Sequence, residues 1–451
     1  MASIEISIPS TLNRGLGERR IRLEADTLKD AIDALVIMLG NDFARRVLDA
    51  NGKPKALINI YINGKNARFL GGLDAKLNDN DKITILPAVA GGDSSEDNNK
   101  ELTSYELERY SRQIMLDSIG YEGQLRLKNA RVCVVGAGGL GSPIAIQLAA
   151  MGVGYIRIVD RDVVELSNLH RQVLYTDEDI GYVKVECAAK RLKAINPDAV
   201  IEPFAVSVNN NTAGEIIKGC DVVIDGLDSI DARYALNDAC LRANVPYVYG
   251  GALGMLGSVC TVIPSKSACI RCIFPELSDD EMPTCSIEGV HPSILYIVSA
   301  IQVAEAVRII VGSQPVLLNK LLYIDLNDLS FNTIDVVRNE HCICSNGIAV
   351  NATTATTTAS TQRFMVEELC GRDMGKRTFS ITPSSILSLD LDKIELKANT
   401  LGFKQKSRGE MGITLVDSNG KSLSILKSGS AVVVGTNSKE DALMLYEKIL
   451  N

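Results

Sequence analysis

The sequence predicts a multidomain chain: a small N-terminal α+β domain, a central α/β domain on a parallel sheet, and a small C-terminal α+β domain. Three observations carry that expectation. The polar stretches "GGDSSEDNNK" (91–100) and "NATTATTTAST" (351–361) are too poor in apolar residues to fold and read as linkers. Between them, "ARVCVVGAGGLGSPIAIQLAAMGVGYIRIVDRD" runs from buried strand to glycine turn to helix to strand. On either side of the linkers, short alternating runs and single amphipathic helices replace that pattern. The expected boundaries are 1–92, a linker 93–101, a central domain 102–347, a linker 348–362 and a last domain 363–451.

Each element has a local reason. In the first segment "IEISIP" alternates at period two, and "TLKDAIDALVIML" has helical spacing with Thr27 placed to cap it. "INIYINGKNARF" carries an Asn63-Gly64 hairpin signal, and "DKITILPAV" alternates again. In the last segment a Ser418-Asn419-Gly420 turn and the closing helix "KEDALMLYEKIL" predict an accessory unit with no evident chemistry.

Composition narrows the class. The chain has 451 residues, more than one typical core holds, with 46% hydrophobic and 23% charged residues, as in soluble globular proteins. Its 47 basic and 55 acidic side chains leave a net charge of −8, which argues against nucleic acid as a primary partner. The 11 cysteines are odd in number and accompany no signal-peptide pattern, so a reducing, cytoplasmic location is expected rather than a disulfide framework. The apolar run "ILYIVSAIQVAEAVRIIVG" contains Gln302, Glu305 and Arg308, so it is expected to be a packed helix and not a membrane span.

The glycine turn Gly136-Ala-Gly138-Gly139-Leu-Gly141 is a Rossmann-type opening, in which glycines let backbone N–H groups approach a phosphate. The same spacing serves nicotinamide oxidoreductases and ATP enzymes. The residues beyond the turn favour ATP: Asp160 ends the next strand, Asp162 follows, and "ELSNLHRQ" and Lys184 bring more phosphate-reaching cations than hydride transfer needs. NADH binding would identify the oxidoreductase alternative.

Taken together, "RYSRQIML", "VGAGGLGSP", "VDRDVVELSNLHRQ", "GYVKVE" and "DGLDSIDARY" resemble the ubiquitin-activating-type adenylyltransferases (MoeB/ThiF/HesA-type) that activate sulfur carriers in molybdopterin and thiamine biosynthesis. The resemblance spans roughly Arg109 to Cys344. It implies ATP-dependent adenylation of a protein C-terminal carboxylate with Mg²⁺. It also implies that Asp160 binds the ribose, that Asn168, Arg171 and Lys184 reach the phosphates, and that Asp228 holds Mg²⁺, with Asp225 as the rival metal ligand. Arg112 resembles an arginine that crosses into the site of a homodimer partner.

The cysteines divide by spacing. Cys269-x-x-Cys272 and the later Cys342 and Cys344 form a set of four thiolates suited to structural Zn²⁺, which resembles the family's zinc staple. The second pair is C-x-C where C-x-x-C is usual, so His341 stands as an alternative to Cys342. Cys285 in "PTCSIEGVHP" matches the position of a cysteine that attacks the acyl adenylate. Cys133, Cys187, Cys220, Cys240, Cys260 and Cys370 lie in apolar patterns and are expected in cores.

The first segment resembles the β-grasp sulfur carriers (MoaD/ThiS-type) and the small archaeal modifiers, ubiquitin-like proteins activated at a terminal Gly-Gly. Gly91-Gly92 is its counterpart here. Gly92 is joined to Asp93 by an amide, which has no carboxylate to adenylate, so cleavage by a separate protease in the polar linker is expected. The resemblance leaves open whether the product serves sulfur transfer (molybdopterin, thiamine or tRNA thiolation, with a sulfur donor) or protein conjugation. The alternative is a ubiquitin-like precursor whose enzyme half acts as scaffold.

Overall fold

A computed structural model describes residues 1–9, 12, 19–49, 51–55, 58–87, 101–278, 288–345, 363–373 and 376–450. Gly91, Gly92 and Cys285 fall outside them, as does the side chain of Cys370. The chain divides into two compact units, Met1–Asn129 and Ala130–Asn451.

In the first unit, strands β1 (Ala2–Ile8), β2 (Arg19–Ala25), β3 (Ile58–Ile62), β4 (Lys65–Asn66) and β5 (Lys82–Pro87) form one sheet in the order β2-β1-β5-β3-β4. The β1–β5 pair is parallel and the others are antiparallel. This is the β-grasp arrangement. Helix Leu28–Leu39 starts in a capping box between Thr27 and Asp30 and buries Leu28, Ala31, Ile32 and Leu35 against Ile4, Ile6, Ile60, Ile83 and Ile85. Asn63 and Gly64 both have positive φ, as the two-residue hairpin turn demands. Helices Ser104–Arg109, Ser111–Ile114 and Gly120–Asn129 complete the unit, their Leu107, Tyr110, Ile114 and Tyr121 packing with Tyr61 and Leu86 of the sheet.

The second unit holds an eight-stranded sheet ordered β13-β12-β11-β10-β9-β6-β7-β8. Strands β6 (Arg131–Val135), β7 (Tyr155–Val159), β8 (Val200–Phe204), β9 (Val222–Asp225) and β10 (Tyr247–Leu253) run parallel; β11 (Leu256–Val262), β12 (Lys320–Asp325) and β13 (Ser330–Asp335) continue antiparallel. The chain leaves β6 toward β7 on one side and returns to β9 on the other, so a crevice opens where the order reverses, at the carboxyl ends of β6 and β9.

Helix Pro292–Val311 is long and apolar enough to cross a membrane, with a mean hydropathy of 1.9 over its most apolar window, but half of that window is buried, and Ser299, Gln302 and Glu305 make hydrogen bonds inside the protein. Ser299 Oγ donates to the Leu140 carbonyl, Gln302 Nε2 to those of Asp225 and Val248, and the Glu305 carboxylate accepts from Thr261 Oγ1 and the N–H groups of Val316 and Leu317. It is a core helix, as its sequence implies.

After residue 363 the chain forms an antiparallel six-stranded sheet from β14 (Phe364–Asp373), β15 (Lys376–Pro383), β16 (Lys404–Arg408), β17 (Gly412–Val416), β18 (Ser422–Leu426) and β19 (Ala431–Val434), ordered β14-β15-β19-β18-β17-β16. One face carries Phe379, Ile381, Ile413, Leu415, Leu423 and Val433 under helices Leu391–Thr400 and Lys439–Leu450. The other face carries Thr378, Ser380, Thr382, Thr414 and Ser424, also buried.

Candidate functional site

The crevice is built from backbone brought to close contact. Gly136 has φ +97°, and a Cβ there would lie 2.4 Å from the Gly226 carbonyl oxygen; a Cβ on Gly141 would lie 1.7 Å from that of Gly136. Only glycine fits at either position. Gly139 is crowded by Leu295 at 2.7 Å, whereas a Cβ on Gly138 would meet only Gln172 Nε2, at 3.7 Å. The loop therefore lies tight against the start of helix Gly141–Met151, whose dipole makes an anion-favouring end.

Asp160 locks the loop to the next turn. Its carboxylate accepts the N–H of Ala137 at 2.8 Å and that of Asp162 at 2.7 Å. Burial raises its pKa, Lys184 opposes the rise and Asp162 adds to it. The Ala137 carbonyl in turn accepts from Tyr175 Oη at 2.8 Å and Ser142 Oγ at 3.1 Å. Lys184, only 5% exposed, lies with Nζ 3.4 Å from Asp162 Oδ2, and its N–H donates to the Asp162 carbonyl at 2.9 Å. Asn168 is buried, and its side chain accepts the Glu165 N–H at 3.2 Å. Arg171 donates to the Ser167 carbonyl at 2.6 Å.

Asp225 and Asp228 take different positions. Asp225 is wholly buried: one carboxylate oxygen accepts from Arg233 Nε at 3.1 Å and Tyr247 Oη at 2.6 Å, the other from the Leu227 N–H at 2.7 Å. Arg233 reaches on to the carbonyls of Leu227 and Gly250. Burial raises the Asp225 pKa, the Arg233 charge working against it. Asp225 is thus spent on internal partners, while Asp228 is exposed on the loop that this network holds. The sequence contained Gly226, Arg233 and Tyr247 without marking their roles. Gly226 and Arg233 stand in "DGLDSIDARY", where the only trace in the sequence is an arginine eight residues after an aspartate.

Arg112 belongs to the first unit, where its Nη1 donates to the Gly64 carbonyl of the β3–β4 turn at 2.8 Å.

At the antiparallel end of the central sheet, Cys269, Cys272, Cys342 and Cys344 bring their sulfurs within 4.8 Å of one another. The Cys269–Cys342 and Cys272–Cys344 sulfurs are each 3.5 Å apart. Tetrahedral thiolate ligation with a metal–sulfur distance of about 2.3 Å needs about 3.8 Å between sulfurs, so this donor set fits zinc. His341 is exposed and outside the cluster, so Cys342 completes the set. A turn in which the Cys342 N–H donates to the Asn339 carbonyl and the Ser345 N–H to the Cys342 carbonyl turns both sulfurs of the C-x-C inward. Burial and the neighbouring thiols push Cys269 up, and burial raises Cys342 to about 11. Cys133, Cys220, Cys240 and Cys260 are buried core residues as expected; Cys187 is half-buried, its thiol raised to about 12 by burial and Asp179.

Residues 110–346 match the ThiF family and residues 10–92 the ThiS family. The chain is 41% identical over 248 residues to the SAMP-activating enzyme E1 of Haloferax volcanii, covering 54% of this chain and 92% of that protein. It is 40% identical over 251 residues to the sulfur carrier protein adenylyltransferase of Thermus thermophilus, covering 54% and 93%. Against the adenylyltransferase and sulfurtransferase MOCS3 of Culex quinquefasciatus it is 40% identical over 235 residues, 52% of this chain and 54% of the other. A crystal structure of E. coli MccB aligns with a TM-score of 0.48 at 25% identity, over 58% of this chain and 78% of that one. The chain belongs to the ThiF family, with a ThiS-family region fused ahead of it.

Proposed function

We propose that this chain is an ATP-dependent adenylyltransferase that activates the Gly-Gly carboxylate of a ubiquitin-like sulfur carrier, its own first domain after cleavage at Gly92 or a free homologue. The crevice supports this most: a glycine-built phosphate loop, with Asp160, Lys184 and Asp228 on the segments that close around it.

A carboxylate oxygen attacks the α-phosphorus of ATP, the bond to the β-phosphate bridging oxygen breaks, pyrophosphate leaves with that electron pair, and an acyl adenylate remains. The reaction needs the triphosphate held and its developing charge neutralised. Backbone N–H groups of the Gly138–Gly141 turn face the phosphates, while Gly136, whose N–H is taken by the Val159 carbonyl, gives the turn its shape, and Asp160, backed by Asp162, takes the ribose hydroxyls. Asn168, Arg171 and Lys184 reach the phosphates, and Asp228 would hold Mg²⁺, which supplies charge neutralisation at the leaving group. Asp225 fixes the Asp228 loop through Arg233. Cys269, Cys272, Cys342 and Cys344 would hold zinc as a structural staple. Arg112 serves the site of a partner subunit in a homodimer, and the Cys285 thiolate captures the acyl group as a thioester, the acyl–phosphate bond breaking and AMP leaving. The free thiols of the nine described cysteines suit a cytoplasmic setting.

ATP–pyrophosphate exchange tests the reading. A first domain ending at Gly92 supports exchange with the enzyme part, and the same domain extended to Asn99 does not, because the amide offers no nucleophilic oxygen and the acidic run repels the triphosphate. Equal exchange with both forms contradicts the reading. Mixed Arg112→Ala and Asp228→Ala subunits regain activity only if the site is shared.

A further inference from the structure

The ThiF match ends at residue 346, so the six-stranded C-terminal domain lies outside it. Its second sheet face is rich in hydroxyls and yet buried, and two of them, on Ser407 and Thr414, meet the segment that carries Lys184. The Gly181 carbonyl accepts both Ser407 Oγ and Thr414 Oγ1, each at 2.7 Å. Gly181 has φ +92°, and a Cβ there would lie 2.7 Å from Ser407 Oγ.

On the other side of Lys184, Glu186 in the first turn of helix Lys184–Ile195 accepts the N–H groups of Glu410 and Met411, at 2.7 and 3.3 Å, from the β16–β17 turn. Gly409 and Gly412 let that turn approach: added Cβ atoms would lie 2.2 Å from Glu186 Oε2 and 2.6 Å from Val183 Cγ2. A third tie joins Arg161, between Asp160 and Asp162, to Glu367 at 3.4 Å.

Both chain directions out of Lys184 are therefore anchored in the accessory domain, and so is the turn bearing its carboxylate partner. A long flexible amine that must meet a phosphate gains from a fixed backbone, since a misplacement of about 1 Å costs about a hundredfold in such sites. We infer that the C-terminal domain is a positioning module for the nucleotide site, with Ser407, Thr414 and Glu186 fixing the Gly181–Glu186 segment so that Lys184 meets the ATP phosphates. The inference rests on the proposed ATP site.

ATP affinity of the full chain, measured by equilibrium titration, tests it apart from catalysis. Combined Ser407→Ala and Thr414→Val weakens ATP binding about tenfold, and Thr414→Ser in place of Thr414→Val restores much of it. Added to Lys184→Ala, the combined change costs little more, because both act through one amine. ATP affinity within twofold of wild type, or losses that multiply with Lys184→Ala, overturns the inference, since a merely structural role does not act through the amine. If the combined variant does not fold, Glu186→Gln is the test: weaker ATP binding with unchanged zinc content supports positioning, and unchanged ATP binding overturns it. Wild-type protein that binds ATP without carrier-dependent exchange refutes the proposed function alone. Wild-type protein that binds no ATP refutes both.

Discussion

Two ends of one sheet reach rigidity by different routes. At the crevice end, Gly136, Gly141 and Gly226 stack backbone on backbone, and Asp225, Arg233 and Tyr247 close a buried network whose charges neutralise one another. Nothing further is needed there to satisfy those groups. At the antiparallel end, four sulfurs converge, burial pushes two of the thiols up, and Arg338 lies beside Cys344. The four thiols of that corner are a donor set that fits a metal. A site that admits a changing ligand is held by permanent contacts, whereas a corner that need only stay closed can depend on an ion.

The largest effect should come from breaking the second route. Structural zinc in small domains contributes apparent binding free energies of about 10 kcal/mol or more, and in these sites that energy is folding energy. Cys342→Ser is expected to lower zinc content and local stability together, measured by metal analysis and thermal unfolding, while His341→Ala retains the metal. A Cys342→Ser protein with full zinc and an unchanged midpoint would mean that the corner does not depend on Cys342.

The next effect sharpens the first route. Arg233→Met leaves Asp225 buried without its cation, and removing one partner of a buried pair costs about 3–5 kcal/mol. Because Arg233 also holds the Leu227 carbonyl, the Asp228 loop loosens, so Mg²⁺ dependence shifts to higher concentration. Stability loss with an unchanged Mg²⁺ dependence would confine Arg233 to the fold.

Much of this was legible in the sequence. The Asn63-Gly64 hairpin, the Thr27 cap and the glycine loop act over a few residues, so local pattern fixes them. The four cysteines were legible as a set because their chemistry is specific, although the ability of C-x-C to close it depended on the Asn339–Ser345 turn. Alternation in the last domain was legible as strands but not as an interface. Thr382, Thr414 and Ser424 look like a wet face, and only the tertiary fold shows a neighbour covering it. Asp225 and Asp228 could not be separated by type or spacing, because the difference lies in Arg233 and Tyr247, which arrive from a helix and another strand.

The smallest effect tests the comparison within a single loop. A Cβ on Gly141 would stand 1.7 Å from a backbone oxygen that is itself fixed between two strands, so the loop must shift bodily, and overpacking of this kind costs about 1–3 kcal/mol. A Cβ on Gly138 would meet only the amide of Gln172, at 3.7 Å, an ordinary contact, and its stability change should stay within about 0.5 kcal/mol. Thermal midpoints should therefore fall by several degrees for Gly141→Ala and scarcely move for Gly138→Ala. If the loop owes its shape to backbone contact, the two alanines must differ even though both glycines belong to one motif. Equal midpoints would mean that the loop relaxes freely, and the crevice would then owe its rigidity to Asp160 and the Asp225 network instead.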